Sequence, residues 1–250
     1  MKRICCILLA VFCMVVSGMA AEHRVVRYAN GVIRYEGDFE GNTPIGELKR
    51  YHENGQLSSE QKFDNEGNST VVFYTGTGEL LAKGQYVGKK RDGQWTFYGE
   101  GEYLFMVETY QQGTRIGETL MYSKEGKVMQ RIPYQNGKIE GERIHYYPYG
   151  NVLAKYTYKG GVLNGPYSYF YETGQLNEEG YYENGQPHGV WRSYEEDGSF
   201  EEVEFIHGKP AYPEEYNKSF QEKLDRYDTD PNIKDPEDYI NNPIDYFSSL

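Results

Sequence analysis

The stretch YETGQLNEEGYYENGQPHGVWRSYEEDG, residues 171–198, repeats one phrase three times. Tyr-Glu-Thr-Gly-Gln is followed by Tyr-Glu-Asn-Gly-Gln and then by Tyr-Glu-Glu-Asp-Gly. The same phrase, YHENGQL, stands far upstream at residues 51–57. With 26 Tyr and 29 Gly in 250 residues, the composition is skewed in the same direction. Both features point to an internal repeat, which must be found before any local reading of the chain.

Working outward from this stretch, the residue that begins each unit is Gly46, Ser69, Gly93, Gly117, Gly141, Gly165 and Gly189, in steps of 23 and then 24 residues. Five positions later stand Tyr51, Tyr74, Tyr98, Tyr122, Tyr146, Phe170 and Tyr194, all aromatic. Eleven positions later stand Leu57, Leu80, Leu104, Val128, Val152, Leu176 and Phe200, all apolar. Seventeen positions later stand Phe63, Tyr86, Tyr110, Tyr134, Tyr158, Tyr182 and Ile206. One step back from Gly46 lies Glu22, and Gly31, Ile33 and Phe39 fall into the matching columns.

Between the aromatic and the apolar column lies a glycine, at 55, 78, 126, 150, 174 and 198, and one residue early at 101. Such glycines supply the positive φ of tight turns. Short runs rich in Tyr, Phe, Val and Thr between them read as strands, and glycine this frequent excludes helices. Each unit is therefore expected to be a β-hairpin. The even spacing of columns 11 and 17 predicts that they share one face. The predicted fold is all-β: an elongated single-layer antiparallel meander of about seven 24-residue hairpin repeats, about fifteen strands long at roughly 4.8 Å per strand. A lone hairpin cannot bury its own apolar side, so each unit is stable only beside another. The irregular stretch 69–113, with Ser69 for Gly and a shifted Gly101, predicts a bulge or twisted joint.

The pattern of Gly, Tyr, Gly and an aliphatic residue at a spacing of 24, with YHENGQL, YETGQL and YYENGQPHGVW as its phrases, resembles the bacterial MORN-repeat variant family, of the YwqK-like antitoxin type. The resemblance spans residues 22–209. It implies a twisted sheet of hairpins that serves as a scaffold for partners, and it implies no particular activity.

The first residues, MKRICCILLAVFCMVVSGMAAEH, pair a basic start at Lys2 and Arg3 with a 13-residue apolar run and small residues before Glu22. That reads as a secretory signal over residues 1–21, since a membrane span needs roughly 20 apolar residues. No transmembrane anchor is expected after its cleavage. All three cysteines, Cys5, Cys6 and Cys13, lie in this segment, so the exported chain is expected to have neither disulfide nor thiolate chemistry. Loss of Lys2 and Arg3 leaves 24 basic residues against 38 acidic, a net charge of −14. Such a surface repels nucleic acid and anionic lipid. After residue 209 the repeat stops. Tyr216, Phe220, Leu224 and Tyr227, spaced 4, 4 and 3, predict a helix that caps the last hairpin over residues 210–228. The acidic, proline-bearing residues 229–250 are expected to be extended or disordered.

No motif for catalysis, metal or cofactor emerges. The five histidines show no ligand spacing and read as exposed polar residues. The run from Asp228 begins like a calcium loop but has Ile233 where glycine is needed. Abundant carboxylates form no diagnostic pair. Trp95, Trp191 and Tyr167, two positions into their units, are the candidate binding residues as a flat aromatic platform, with structural packing as the default reading. The expectation is a non-catalytic exported scaffold, without metal or cofactor, that binds another protein. That partner is a toxin if the chain is an immunity protein. A surface or cell-wall glycan is the alternative ligand.

Overall fold

The computed structural model describes residues 20–214, and every element in them is a β-strand. The chain divides into two compact units, one through Arg115 and one from Ile116. The first holds β1 (Glu22–Arg27), β2 (Ile33–Glu40), β3 (Thr43–Tyr51), β4 (Leu57–Phe63), β5 (Ser69–Tyr74), β6 (Leu80–Val87), β7 (Lys90–Tyr98) and β8 (Leu104–Gln111). Each strand from β1 to β8 pairs antiparallel with the next. The second unit begins within β9 (Thr114–Tyr122) and continues with β10 (Val128–Gln135), β11 (Lys138–Ile139), β12 (Gly141–Tyr146), β13 (Val152–Lys159), β14 (Val162–Phe170), β15 (Leu176–Glu183), β16 (Gln186–Tyr194), β17 (Phe200–Ile206) and β18 (Lys209–Pro210). It too is an antiparallel succession of neighbours. The strands beyond the expected fifteen are β1, which completes a leading hairpin, the two-residue β11, and β18.

The expected helical cap is corrected by the end of this succession. Where the helix was to begin, the chain is still a strand: Pro210 pairs with Phe205, and the Ala211 amide donates to the Glu204 carbonyl at 2.8 Å. Backbone pairing satisfies these groups, which a helix start would leave open. Among the described residues no helical element forms, and only Pro213 and Glu214 take helical geometry. Residues 215–228 of the expected cap, the expected tail at 229–250 and residues 1–19 of the expected signal lie outside the described residues.

One turn recurs through both units. The amide six positions into the unit donates to the carbonyl four residues on, and the turn glycine donates back: His52 to Gln56 at 2.8 Å and Gly55 to His52 at 2.9 Å. The same pair recurs at 75/79, 123/127, 147/151, 171/175 and 195/199. The shifted Gly101 leaves this hairpin intact, because Glu102 takes the left-handed conformation (φ +61°) and its amide donates to Gly99 at 2.9 Å.

A bulge follows this turn in most repeats. Tyr51 pairs with Leu57 but Arg50 pairs with Ser59, so Ser58 is the extra residue. The same shift occurs at Phe73/Tyr74, Phe97/Tyr98, His145/Tyr146 and Tyr169/Phe170. A bulge reverses side-chain alternation. Columns 11 and 17 are therefore on opposite faces, contrary to the expectation from their even spacing. The aromatic of column 5 and the apolar residue of column 11 form a cross-strand pair on the reverse face. The core lies on the other face, where Leu48, Val71, Trp95, Phe97, Met106 and Ala82 are buried in the first unit, and Met121, Ile132, Ala154 and Trp191 in the second. The seventh repeat has no bulge: Tyr194 pairs with Phe200, and Ser193 with Glu201. Its register therefore slips by one. Phe205 turns into the core and Ile206, the column residue, is 53% exposed.

Candidate functional site

Column 2, the position of the two tryptophans, is the most buried of the repeat. Trp95 is 0% exposed and Trp191 8%. Each ring lies on the glycine of the preceding strand. A Cβ on Gly84 would stand 2.3 Å from the Trp95 ring, and one on Gly180 would stand 2.2 Å from that of Trp191. Each indole N–H donates to a backbone carbonyl, Gln85 for Trp95 and Tyr181 for Trp191, both at 3.2 Å. Tyr167 is half-buried and stacks on Trp191 at 5.2 Å between ring centroids, with Tyr156 on its other side. Burial pushes its phenol far up from the ordinary tyrosine range. Tyr182, edge-on to Trp191 at 5.0 Å, is raised to about 12 for the same reason. Trp95 belongs to the first unit, Trp191 and Tyr167 to the second, and all three rings are packed into core columns.

Beside Trp95 the first unit holds a charged cluster. Glu108 is 1% exposed. It accepts the Tyr110 hydroxyl at 2.7 Å and lies 2.8 Å from Arg115. Arg91 lies over the Trp95 ring at 4.5 Å and donates to Tyr110 at 3.3 Å. Burial, and the Glu108 carboxylate after it, raises the Tyr110 phenol. A buried carboxylate must be paired in this way, and every group of the cluster is engaged with another.

The reverse face of the last hairpins is different. Tyr181, Val190, Phe200 and Ile206 are 43–54% exposed there. Between them Arg192 bridges two carboxylates, Glu202 at 2.7 Å and Glu179 at 3.4 Å, and Tyr194 donates to Glu179 at 2.8 Å. These contacts hold the Arg192 guanidinium above its ordinary range, through Glu202 first. The surface is mixed in character and accessible. The place of Glu202 and Ile206 on it escapes sequence reasoning because it depends on the missing bulge, which only the strand register reveals.

At the margin of this face the hairpins bring together Glu183, His188 and His207, whose ligating atoms lie within 4.8 Å of one another. His188 Nδ1 stands 3.8 Å from Glu183 and its ring centroid 5.7 Å from that of His207. Histidines 19 residues apart give no linear ligand motif. The signal was positional, since the turn residue at His207 is asparagine at 136 and 184.

The MORN repeat variant family model matches residues 44–65, 115–136, 139–159 and 163–186. The match thus falls in both units and covers part of the chain, consistent with a non-catalytic repeat or scaffold module. The unbulged seventh hairpin is outside it. No curated protein matches the chain. No helix among the described residues is long and apolar enough to cross a membrane.

Proposed function

We propose that this protein is an exported, non-catalytic repeat scaffold that binds another protein through the reverse face of its last hairpins. The observation that supports this reading is the exposure of Tyr181, Val190, Phe200 and Ile206 around the Glu179–Arg192–Glu202 cluster. Aromatic residues and arginine are enriched at protein interfaces, and grouped exposed apolar side chains mark interaction surfaces. Elsewhere the aromatic columns are spent on packing one repeat against the next. Export rests on the basic start, the apolar run and the small residues before Glu22. An immunity protein is the narrower form of the same reading, with one toxin as its stoichiometric partner. A glycan platform draws no support from Trp95 or Trp191, whose ring faces are covered.

The test is capture from the native host with the tagged chain, run in parallel with a Val190→Glu/Ile206→Glu variant. A protein retained stoichiometrically by the parent and lost from the variant is the expected result, and its identity separates toxin from structural partner. Equal retention by both chains would remove this face from the reading. Retention of polysaccharide instead of protein would replace the reading with glycan binding.

A further inference from the structure

The joint between successive hairpins is closed in the same way once in each compact unit. In two repeats the residue just before the repeat's first glycine is a carboxylate that accepts the backbone amide of the next hairpin's turn. Asp92 accepts from Gln112 at 2.8 Å in the first unit, and Glu140 accepts from Gly160 at 2.6 Å in the second. In the last repeat the same position is His188. No carboxylate closes that joint, and Nδ1 of His188 is shielded from solvent without a hydrogen-bond partner. The turn that would have supplied the amide instead supplies a second imidazole, His207, in the left-handed conformation (φ +49°). Gly208 fixes this turn against the neighbouring strand by donating to the Pro187 carbonyl at 3.0 Å. Glu183, at the end of the paired strand, completes the group.

We propose that Glu183, His188 and His207 bind one Zn²⁺ ion. The donor set is two imidazole nitrogens and one carboxylate oxygen. Borderline-soft divalent metals take this combination, whereas Mg²⁺ and Ca²⁺ prefer all-oxygen sites. Tetrahedral Zn²⁺ with ligands at roughly 2.0–2.2 Å sets donor atoms about 3.4 Å apart. The His188–Glu183 distance of 3.8 Å is already near that value. The remaining closure, from at most 4.8 Å, needs only side-chain rotation of His207 and Glu183, both exposed. Three protein ligands leave the fourth position to water or to a donor from a binding partner. At Asp92 and Glu140 the joint is closed by a carboxylate, and in the last repeat it is closed by the ion.

The full chain, purified without a polyhistidine tag and stripped with chelator, is titrated with Co²⁺ and then with Zn²⁺ in competition. The expected result is one ion per chain, with the visible absorption of tetrahedral Co²⁺, displaced by Zn²⁺. His207→Asn keeps the turn, because asparagine occupies it at 136 and 184. It should weaken Zn²⁺ at least tenfold, as should His188→Ala, with the circular dichroism of the metal-free chain unchanged. His52→Ala should bind like the parent, since that ring contacts the Tyr74 carbonyl far from the cluster in sequence. Absence of a stoichiometric ion would overturn the proposal, and so would unweakened binding by the His207→Asn chain.

Discussion

A glycine beneath a tryptophan is the sharpest packing constraint in this protein. At Gly180 the backbone is not in the left-handed region, so an added Cβ meets no conformational penalty. Its nearest contacts would be atoms of the Trp191 ring, from 2.2 Å. Overfilling a packed core costs about 1–3 kcal/mol. Gly180→Ala is therefore expected to lower the melting temperature by several degrees and to shift Trp191 fluorescence to the red. Gly76→Ala, whose Cβ would have its nearest neighbour at 3.9 Å, should change stability by about 0.5 kcal/mol or less. A second residue sets an acid limit. His145 is buried, and burial, with Arg143 adding to it, depresses its pKa to about 4 from an unfolded value near 6.5. Because the folded value is the lower one, the unfolded chain binds the extra proton. Stability is present above about pH 6.5 and falls as pH drops toward 4, by at most about 3 kcal/mol from this group. Urea denaturation at pH 7 and pH 5 should show that loss in the parent, and a smaller one in His145→Phe.

At the scale of the hairpin, turn and bulge act together. The turn returns the chain, and the bulge rotates the returning strand so that column 13 rather than column 12 faces the core. Neighbouring hairpins are then clasped by side chains of the turns. The hydroxyls of Tyr28, Tyr147 and Tyr171 donate to the carbonyls of Tyr51, Phe170 and Tyr194, at 2.7–2.8 Å. His52 makes the equivalent contact to Tyr74 at 3.0 Å. A hydrogen bond of this kind contributes about 1 kcal/mol, more when its loss strands a buried acceptor. Tyr171→Phe should lower the melting temperature by about 2–4 °C, and amide hydrogen exchange should quicken around residues 194–199. Tyr149→Phe, at a side chain 78% exposed, should do neither.

At the scale of the whole molecule, stability is the sum of such joints, as in other repeat arrays. Deleting residues 141–164, one full period, joins Glu140 to Gly165 and keeps every column in step. The shortened chain should fold with unchanged strand content per residue in far-ultraviolet circular dichroism and melt at a modestly lower temperature. A deletion of twelve residues from the same point should not fold cooperatively, because it breaks the period.

The period of 24, the hairpin unit, the turn glycines and the antiparallel order were all legible in the sequence. Each is dictated locally, by backbone conformation at Gly55 or Gly174 and by the alternation of apolar residues between turns. The face that becomes core was not legible. The bulge after Tyr51 or Tyr146 is a choice of register between two strands, made by packing across them, and no residue type announces it. The exposed Ile206, the buried Phe205 and the meeting of His188 with His207 follow from that choice, and the covered Trp95 and Trp191 from the pairing of β6 with β7 and of β15 with β16. The sequence by itself therefore determined the repeat and its turns, because backbone sterics act within a few residues. The tertiary structure alone decided which columns are buried and which side chains meet, because a one-residue slip between paired strands moves every side chain to the opposite face.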